Sequence, residues 1–299
     1  MDEQVRIYVG ADRSQALAIK VLEHSIRRHT RLDVAVIPMI DLPIRQPKDL
    51  RNGQRTGFSF SRFCIPQLAG YHGKAIYMDA DMLVFNDIAS LWNIPFDGAK
   101  VVIQQEVKYQ KVTTKKIGAP RARRKQCSVM LVDCSRLDWD IDKIIDGFDR
   151  GDYDYAGLMY DLCLLTDEEV KCRVPFEWNS LEYYDAETCL IHYTDVFTQP
   201  WTSCRNKNGD IWFQEVRLML NDGTLTAMEL EEEIRLGFFR PSLLWDIASR
   251  PSVPRFLWPL CDAVNTWRDT LKNYTPHREV YLAKQRRLQT EKDRAGQSA

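Results

Sequence analysis

The chain has 299 residues, 44% hydrophobic and 28% charged, with a formal net charge of −1. This composition suits a soluble globular protein of one large or two small domains, and the near-zero charge leaves no global field to gather nucleic acid or membrane. No apolar run reaches the ~18 residues that indicate a membrane-spanning helix, and residues 1–5 lead into a strand without the pattern of a signal or transit peptide.

Val-Arg-Ile-Tyr-Val at 5–9 reads as a strand, Gly10, Ala11 and Asp12 as the turn after it, and residues 15–28 as a helix. A second strand follows at 34–37. This βαβ opening predicts an α/β, mostly parallel sheet flanked by helices, and the lack of Gly-x-Gly-x-x-Gly argues against a dinucleotide cofactor. Ligands in such sheets sit beyond the carboxyl ends of strands. Asp12 lies at such an end, suited either to contact a base or ribose or simply to cap the helix. Residues 43–57 read as an irregular loop and 59–69 as a helix carrying Arg62, which can pair with phosphate or a carboxylate or stand exposed.

The stretch Ala-Ile-Tyr-Met-Asp-Ala-Asp-Met-Leu-Val-Phe at 75–85 reads as one buried strand interrupted by Asp79 and Asp81. A buried, unpaired carboxylate costs several kcal/mol. Side chains at i and i+2 of an extended chain share a face, so the two aspartates can converge on one divalent cation, whose natural second partner is a diphosphate. The chain has three other Asp-x-Asp pairs, 138/140, 140/142 and 152/154, in polar sequence that reads as surface or helix caps.

Strands are expected at 101–103 and 128–132, and a short helix at 141–148. Between these strands, residues 108–125 carry eight Lys and Arg and no acid. They read either as a solvated run or as a mobile loop facing an anionic substrate. Asp161 interrupts the apolar stretch 155–165, residues 177–180 form a polar turn anchored by Trp178, and His192 lies in an apolar strand at 190–193. Residues 209–230 read as helical with a break near 221–223. An aromatic C-terminal stretch begins after Pro241 and turns basic from Lys284, where fraying is expected. With no clean helical period in it, ordinary packing is the favoured reading over contact with an anionic membrane surface. The expected organisation is a domain at 1–240 and an extension at 241–299. The eight cysteines form no Cys-x-x-Cys pair and read as reduced, mostly buried residues of a cytoplasmic protein rather than a zinc site.

In order along the chain, several of these motifs resemble the GT-A glycosyltransferases, specifically the retaining, glycogenin-like family 8 that includes lipopolysaccharide galactosyl- and glucosyltransferases. The resemblance runs from about residue 5 to 201. It rests on Ala11-Asp12 after the first strand, on Ser61-Arg62-Phe63 before the metal strand, and on Asp79-Ala80-Asp81 itself. Ser128-Val-Met-Leu-Val132, His192-Tyr193 and Gln199-Pro200-Trp201 complete it. The chain departs from the family pattern at Gln126 and Cys127, at Asp195, at Gln199 where a lysine is usual, and at Tyr160-Asp161.

The resemblance implies transfer of a hexosyl group from a nucleotide sugar, UDP-linked, to a hydroxyl with retention of configuration. It implies Mn²⁺ or Mg²⁺ held by Asp79, Asp81 and His192. It implies donor contacts from Gly10, Ala11, Asp12, Arg62, Ala80 and Gln199, with Arg62 supporting Asp81 or the donor and Asp161 orienting acceptor or sugar. The expected partners are the donor and an anionic or lipid-linked glycan acceptor, with no nucleic acid and at most peripheral contact with a membrane. The competing reading is a non-catalytic nucleotide-sugar-binding scaffold. A nucleotidyltransferase is disfavoured because residues 10–13 are too poor in glycine.

Overall fold

The computed structural model of the protein describes residues 4–104, 125–278, 282 and 285. The basic segment 108–125 lies outside the described residues except for Lys125, and the tail from 284 except for Gln285.

Strand β1 (Val5–Gly10) leads through a 3₁₀ turn into helix α1 (Ala16–His29), and β2 (Val34–Met39) returns parallel to β1, as the opening pattern predicts. The expected helix over 59–69 is instead a 3₁₀ turn, Ser61–Cys64, followed by the single turn α2 (Ile65–Leu68). Pro66 lacks an amide hydrogen and fits only the first turn of an α-helix, which sets the late start.

The stretch 75–85 is two strands, not one. β3 (Lys74–Asp79) pairs with β1, whereas β4 (Met82–Val84) enters a second sheet after a bend at residues 80 and 81. After α3 (Ala89–Trp92) come β5 (Val101–Gln104), β6 (Val129–Asp133), α4 (Ile141–Arg150) and α5 (Tyr155–Asp161). The polar Asp-x-Asp pairs behave as caps: Asp140 accepts from two amides at the start of α4, and Asp154 from one in α5. Then follow β7 (Val170–Val174), β8 (Ser180–Leu181), β9 (Leu190–His192), α6 (Gly209–Asp222) and α7 (Ala227–Arg235). Gly223, at φ 80°, ends α6 at the expected break. Helices α8 (Leu243–Ala248) and α9 (Trp258–Leu271) close the described chain.

The main sheet has the order β2-β1-β3-β6-β5-β7, and only β6 runs against its neighbours. Period-two alternation sorts its side chains. Tyr8, Ala75, Tyr77 and Met130 meet Phe60, Phe63, α4 and α5 on one face, while Ile7, Val9, Ile76 and Met78 meet α1 and α3 on the other. A second sheet, β4-β9-β8, packs with α1, α6, α7 and α8 around Trp201, Trp212 and Phe239. The packing expected for the aromatic C-terminal stretch holds for Leu243 but not for Phe256 or Trp267, which are exposed.

Strands β2 and β3 flank β1 on opposite sides, so the strand order reverses there, the place where open α/β sheets bind ligands beyond the carboxyl ends of their strands. Gly10 and Asp79 are paired at those ends.

Candidate metal centre

Asp79 ends β3 beside Gly10, and Asp81 follows at the bend into β4. The antiparallel pairing of β4 with β9 sets His192 opposite Met82, and Tyr193 N–H donates to the Asp81 carbonyl (2.8 Å). One ligand atom from each of Asp79, Asp81 and His192 lies within 4.8 Å of the other two. The predicted convergence is therefore present, but it arises from the bend and from β9 rather than from two side chains on one straight strand.

The surroundings fix each ligand. Gln104 Nε2 donates to the Asn179 carbonyl (3.2 Å), and Asn179 Nδ2 donates to Gln104 Oε1 (2.9 Å). Asn179 Oδ1 is thus left to accept from His192 Nδ1 (3.0 Å). With Nδ1 donating to Asn179, the ring turns its Nε2 toward Asp81 Oδ1, 3.1 Å away. That carboxylate oxygen is buried and has no other partner, so a proton or a cation is needed between it and the ring nitrogen. A positive charge between them satisfies both, and this donor set of two carboxylate oxygens and one imidazole nitrogen fits a divalent cation such as Mn²⁺ or Mg²⁺.

Asp81 Oδ2 accepts from Gln199 Nε2 (2.7 Å), which also donates to the Tyr193 carbonyl, while Gln199 Oε1 accepts from His277 Nε2 (2.7 Å). Gln199 is fully buried, its amide wholly taken up by these partners. Asp79 Oδ1 accepts from Tyr77 Oη (2.5 Å) and, at 3.4 Å, from Arg62 Nη2. Arg62 is buried, donates to the Cys127 carbonyl (2.6 Å) and lies 4.5 Å over the Tyr77 ring. The arginine therefore reaches Asp79, not Asp81, because its place in the 3₁₀ turn sets it against β3.

Burial pushes the Asp79 carboxyl up from its ordinary value, with Arg62 and His192 opposing. Burial also pulls the His192 imidazole down, but Asp81 and Asp79 outweigh it and leave His192 raised. His277 is lowered by burial, against the pull of Asp12 and Asp81.

The remaining predicted residues spread around this centre. Asp12 caps the 3₁₀ turn Arg13–Gln15 by accepting from Ser14 N–H (2.9 Å). A Cβ on Gly10 would lie 2.5 Å from Tyr77 Oη, so that position is closed by protein. Ala11 and Ala80 are buried. Asp161 is the last residue of α5 and lies outside the cluster of ligand atoms. Sequence reasoning missed Asn179, Tyr77 and His277. Asn179 had a faint signal as the one amide in the turn 177–180, while His277 had none because 78 residues separate it from Gln199.

Comparison with known proteins agrees with this arrangement. Residues 7–129 match the model of "Glycosyl transferase family 8", a span that includes Asp79 and Asp81. The chain is similar to Protein CDI of Arabidopsis thaliana, 28% identical over 229 residues, which are 71% of this chain and 85% of that protein. In fold it is similar to the glycosyltransferase GlyE of Streptococcus pneumoniae TIGR4. The apo form superposes with a TM-score of 0.50 at 15% identity, covering 75% of this chain and 63% of GlyE. A second GlyE structure gives a TM-score of 0.51 at 16% identity, covering 71% and 60%. The chain thus spans less than two thirds of the GlyE chains it resembles. The family match thus covers the strand that carries both aspartates, and the fold is similar to that of GT-A glycosyltransferases.

Proposed function

We propose that this protein transfers a hexosyl group from a UDP-sugar to a hydroxyl acceptor, with retention of anomeric configuration and with Mn²⁺ or Mg²⁺ held by Asp79, Asp81 and His192. The observation that carries this reading is the convergence of those three side chains beyond the carboxyl ends of β1 and β3, with Asp81 Oδ1 buried and unbonded. A bound divalent cation supplies positive charge against the donor diphosphate as the nucleotide departs.

The chain's own residues do the positioning. Asn179 holds His192 with Nε2 inward, Gln199 holds Asp81, and Tyr77 with Arg62 holds Asp79. His277 fixes the Gln199 amide from the far side. Asp12, with Gly10, Ala11 and Ala80 beside it at the ends of β1 and β3, is proposed to meet the donor's uridine and ribose. Asp161 is proposed to orient acceptor or sugar. The acceptor is proposed to be an anionic or lipid-linked glycan, on the charge of residues 108–125 alone. Lys125, the described residue of that run, pairs with Asp167 at 3.2 Å.

A thermal-shift screen of nucleotides and nucleotide sugars, each with Mn²⁺ and with EDTA, tests the reading. A ligand at 100 times its Kd adds about 2.7 kcal/mol of stability. The expected result is a metal-dependent shift with UDP and its sugars. A protein unmoved by every nucleotide would instead be a scaffold.

A further inference from the structure

Helix α9 is turned inside out. Its inward side is polar: Asp262 accepts from Arg250 (2.6 Å), Asn265 donates to Asp246 (3.4 Å), and Asp269 accepts from Ser242 N–H and Oγ (2.8 Å each). Its outward side is apolar. Leu260, Val264, Trp267 and Leu271 are 64%, 46%, 62% and 62% exposed, and Phe256, just before the helix, is 80% exposed. At about 100° per residue, steps of four, three and four keep positions 260 to 271 within one narrow stripe. Isolated exposed apolar residues are common, but a contiguous stripe of large ones marks an interaction surface.

Charge identifies what covers it. Residues 255–278 contain only two acids, Asp262 and Asp269, and both are bonded on the inward side. Exposed around the stripe are Arg255, Arg268, Lys272 and Arg278. The sequence beyond, 279–299, has five basic residues and three acidic ones. An apolar stripe with a tryptophan at its middle and a purely basic rim has the chemistry of a helix lying in an anionic lipid surface. A second copy of the chain fits poorly. It would set basic rim against basic rim, which like charges disfavour.

We propose that the outward face of α9 docks this protein on anionic lipid bilayers, its apolar side chains entering the interface and its arginines and lysine meeting the headgroups. The inference is independent of the donor chemistry proposed above.

Co-sedimentation of the full chain with vesicles tests it. With equimolar phosphatidylglycerol and phosphatidylcholine the protein is expected to pellet at low salt, and with phosphatidylcholine alone to stay largely in solution. The triple substitution Leu260→Ser, Trp267→Ser, Leu271→Ser is expected to lower partitioning about tenfold or more. Because these side chains are exposed, melting temperature and donor hydrolysis should not change, which separates failure of docking from failure of the metal centre. Arg268→Gln with Lys272→Gln should weaken binding about tenfold and flatten its salt dependence. Wild-type protein remaining in the supernatant with anionic vesicles would overturn the proposal, as would equal pelleting of the triple variant. So would sedimentation of the wild type as a dimer that the triple substitution dissociates, which would assign the face to a second copy.

Discussion

His192 makes its hydrogen bond through Nδ1 only because Asn179 and Gln104 exchange amide contacts behind it. Asn179→Ala removes that orientation without touching a ligand atom, and a 10–100-fold fall in Mn²⁺ affinity is expected by titration calorimetry, about what loss of an outer partner costs. Unchanged affinity would return Asn179 to a packing role. Gly10 is constrained differently: its backbone pairs with Asp79, and Tyr77 Oη occupies the place of a side chain. Gly10→Ala should cost about 1–3 kcal/mol as an overpacking substitution. Adding Tyr77→Phe should recover part of that cost in chemical denaturation, since it removes the clashing oxygen. At this scale the sequence was legible where a charged residue broke an apolar pattern, as at Asp79, Asp81 and His192. Asn179 and His277 carry no such contrast. Their roles depend on contacts made across the fold, which one-dimensional pattern does not contain.

Helix α7 shows how short-range chemistry sets an element. Thr226 Oγ1 accepts from Glu229 N–H, and the Glu229 carboxylate accepts from Thr226 N–H, a reciprocal cap. Thr226→Ala should cost about 1 kcal/mol in chemical denaturation. Lys20 and the Thr226 contacts hold the Glu229 carboxyl down at about 2, against 4.5 ordinarily. A folded-state pKa below the unfolded one adds stability above the unfolded value, and that stability is lost as pH falls through the folded one. The contribution of Glu229 should therefore fade between about pH 4.5 and pH 2. A Glu229→Gln protein should lose melting temperature less steeply over that window, and parallel curves would deny the linkage. Strands, helix breaks and caps of this kind were readable because their causes are local. The division of 75–85 between two sheets was not, since both halves are apolar and only pairing partners far along the chain, β1 and β9, distinguish them.

Across the whole molecule, the expected boundary at residue 240 falls within a polar network. Arg240 and Asp246, both fully buried, form an ion pair, and Asp246 also accepts from Arg250 (3.0 Å). Ser242 and Asp269 tie α8 to α9, and His277 reaches back to Gln199. Breaking a buried pair from one side leaves a charge uncompensated, so Asp246→Ala should destabilise the protein by about 3–5 kcal/mol. The same network explains why α9 turns its polar side inward. Composition announced an aromatic, basic C-terminus but not that direction, because the partners of the polar side, Ser242, Asp246 and Arg250, are brought to α9 only by the fold. The α/β class was readable from the βαβ opening, whereas the reversed strand β6 was not, its residues being as apolar as those of its parallel neighbours.

The proposed transfer requires a cation held between Asp79, Asp81 and His192 that in turn holds a nucleoside diphosphate. Calorimetric titration of UDP into the protein, once with Mn²⁺ and once with EDTA, examines that directly. Binding with Mn²⁺ alone, abolished by Asp81→Asn while the melting temperature of the metal-free protein holds, is the expected result. Equal binding in EDTA, or unchanged binding by Asp81→Asn, would contradict it.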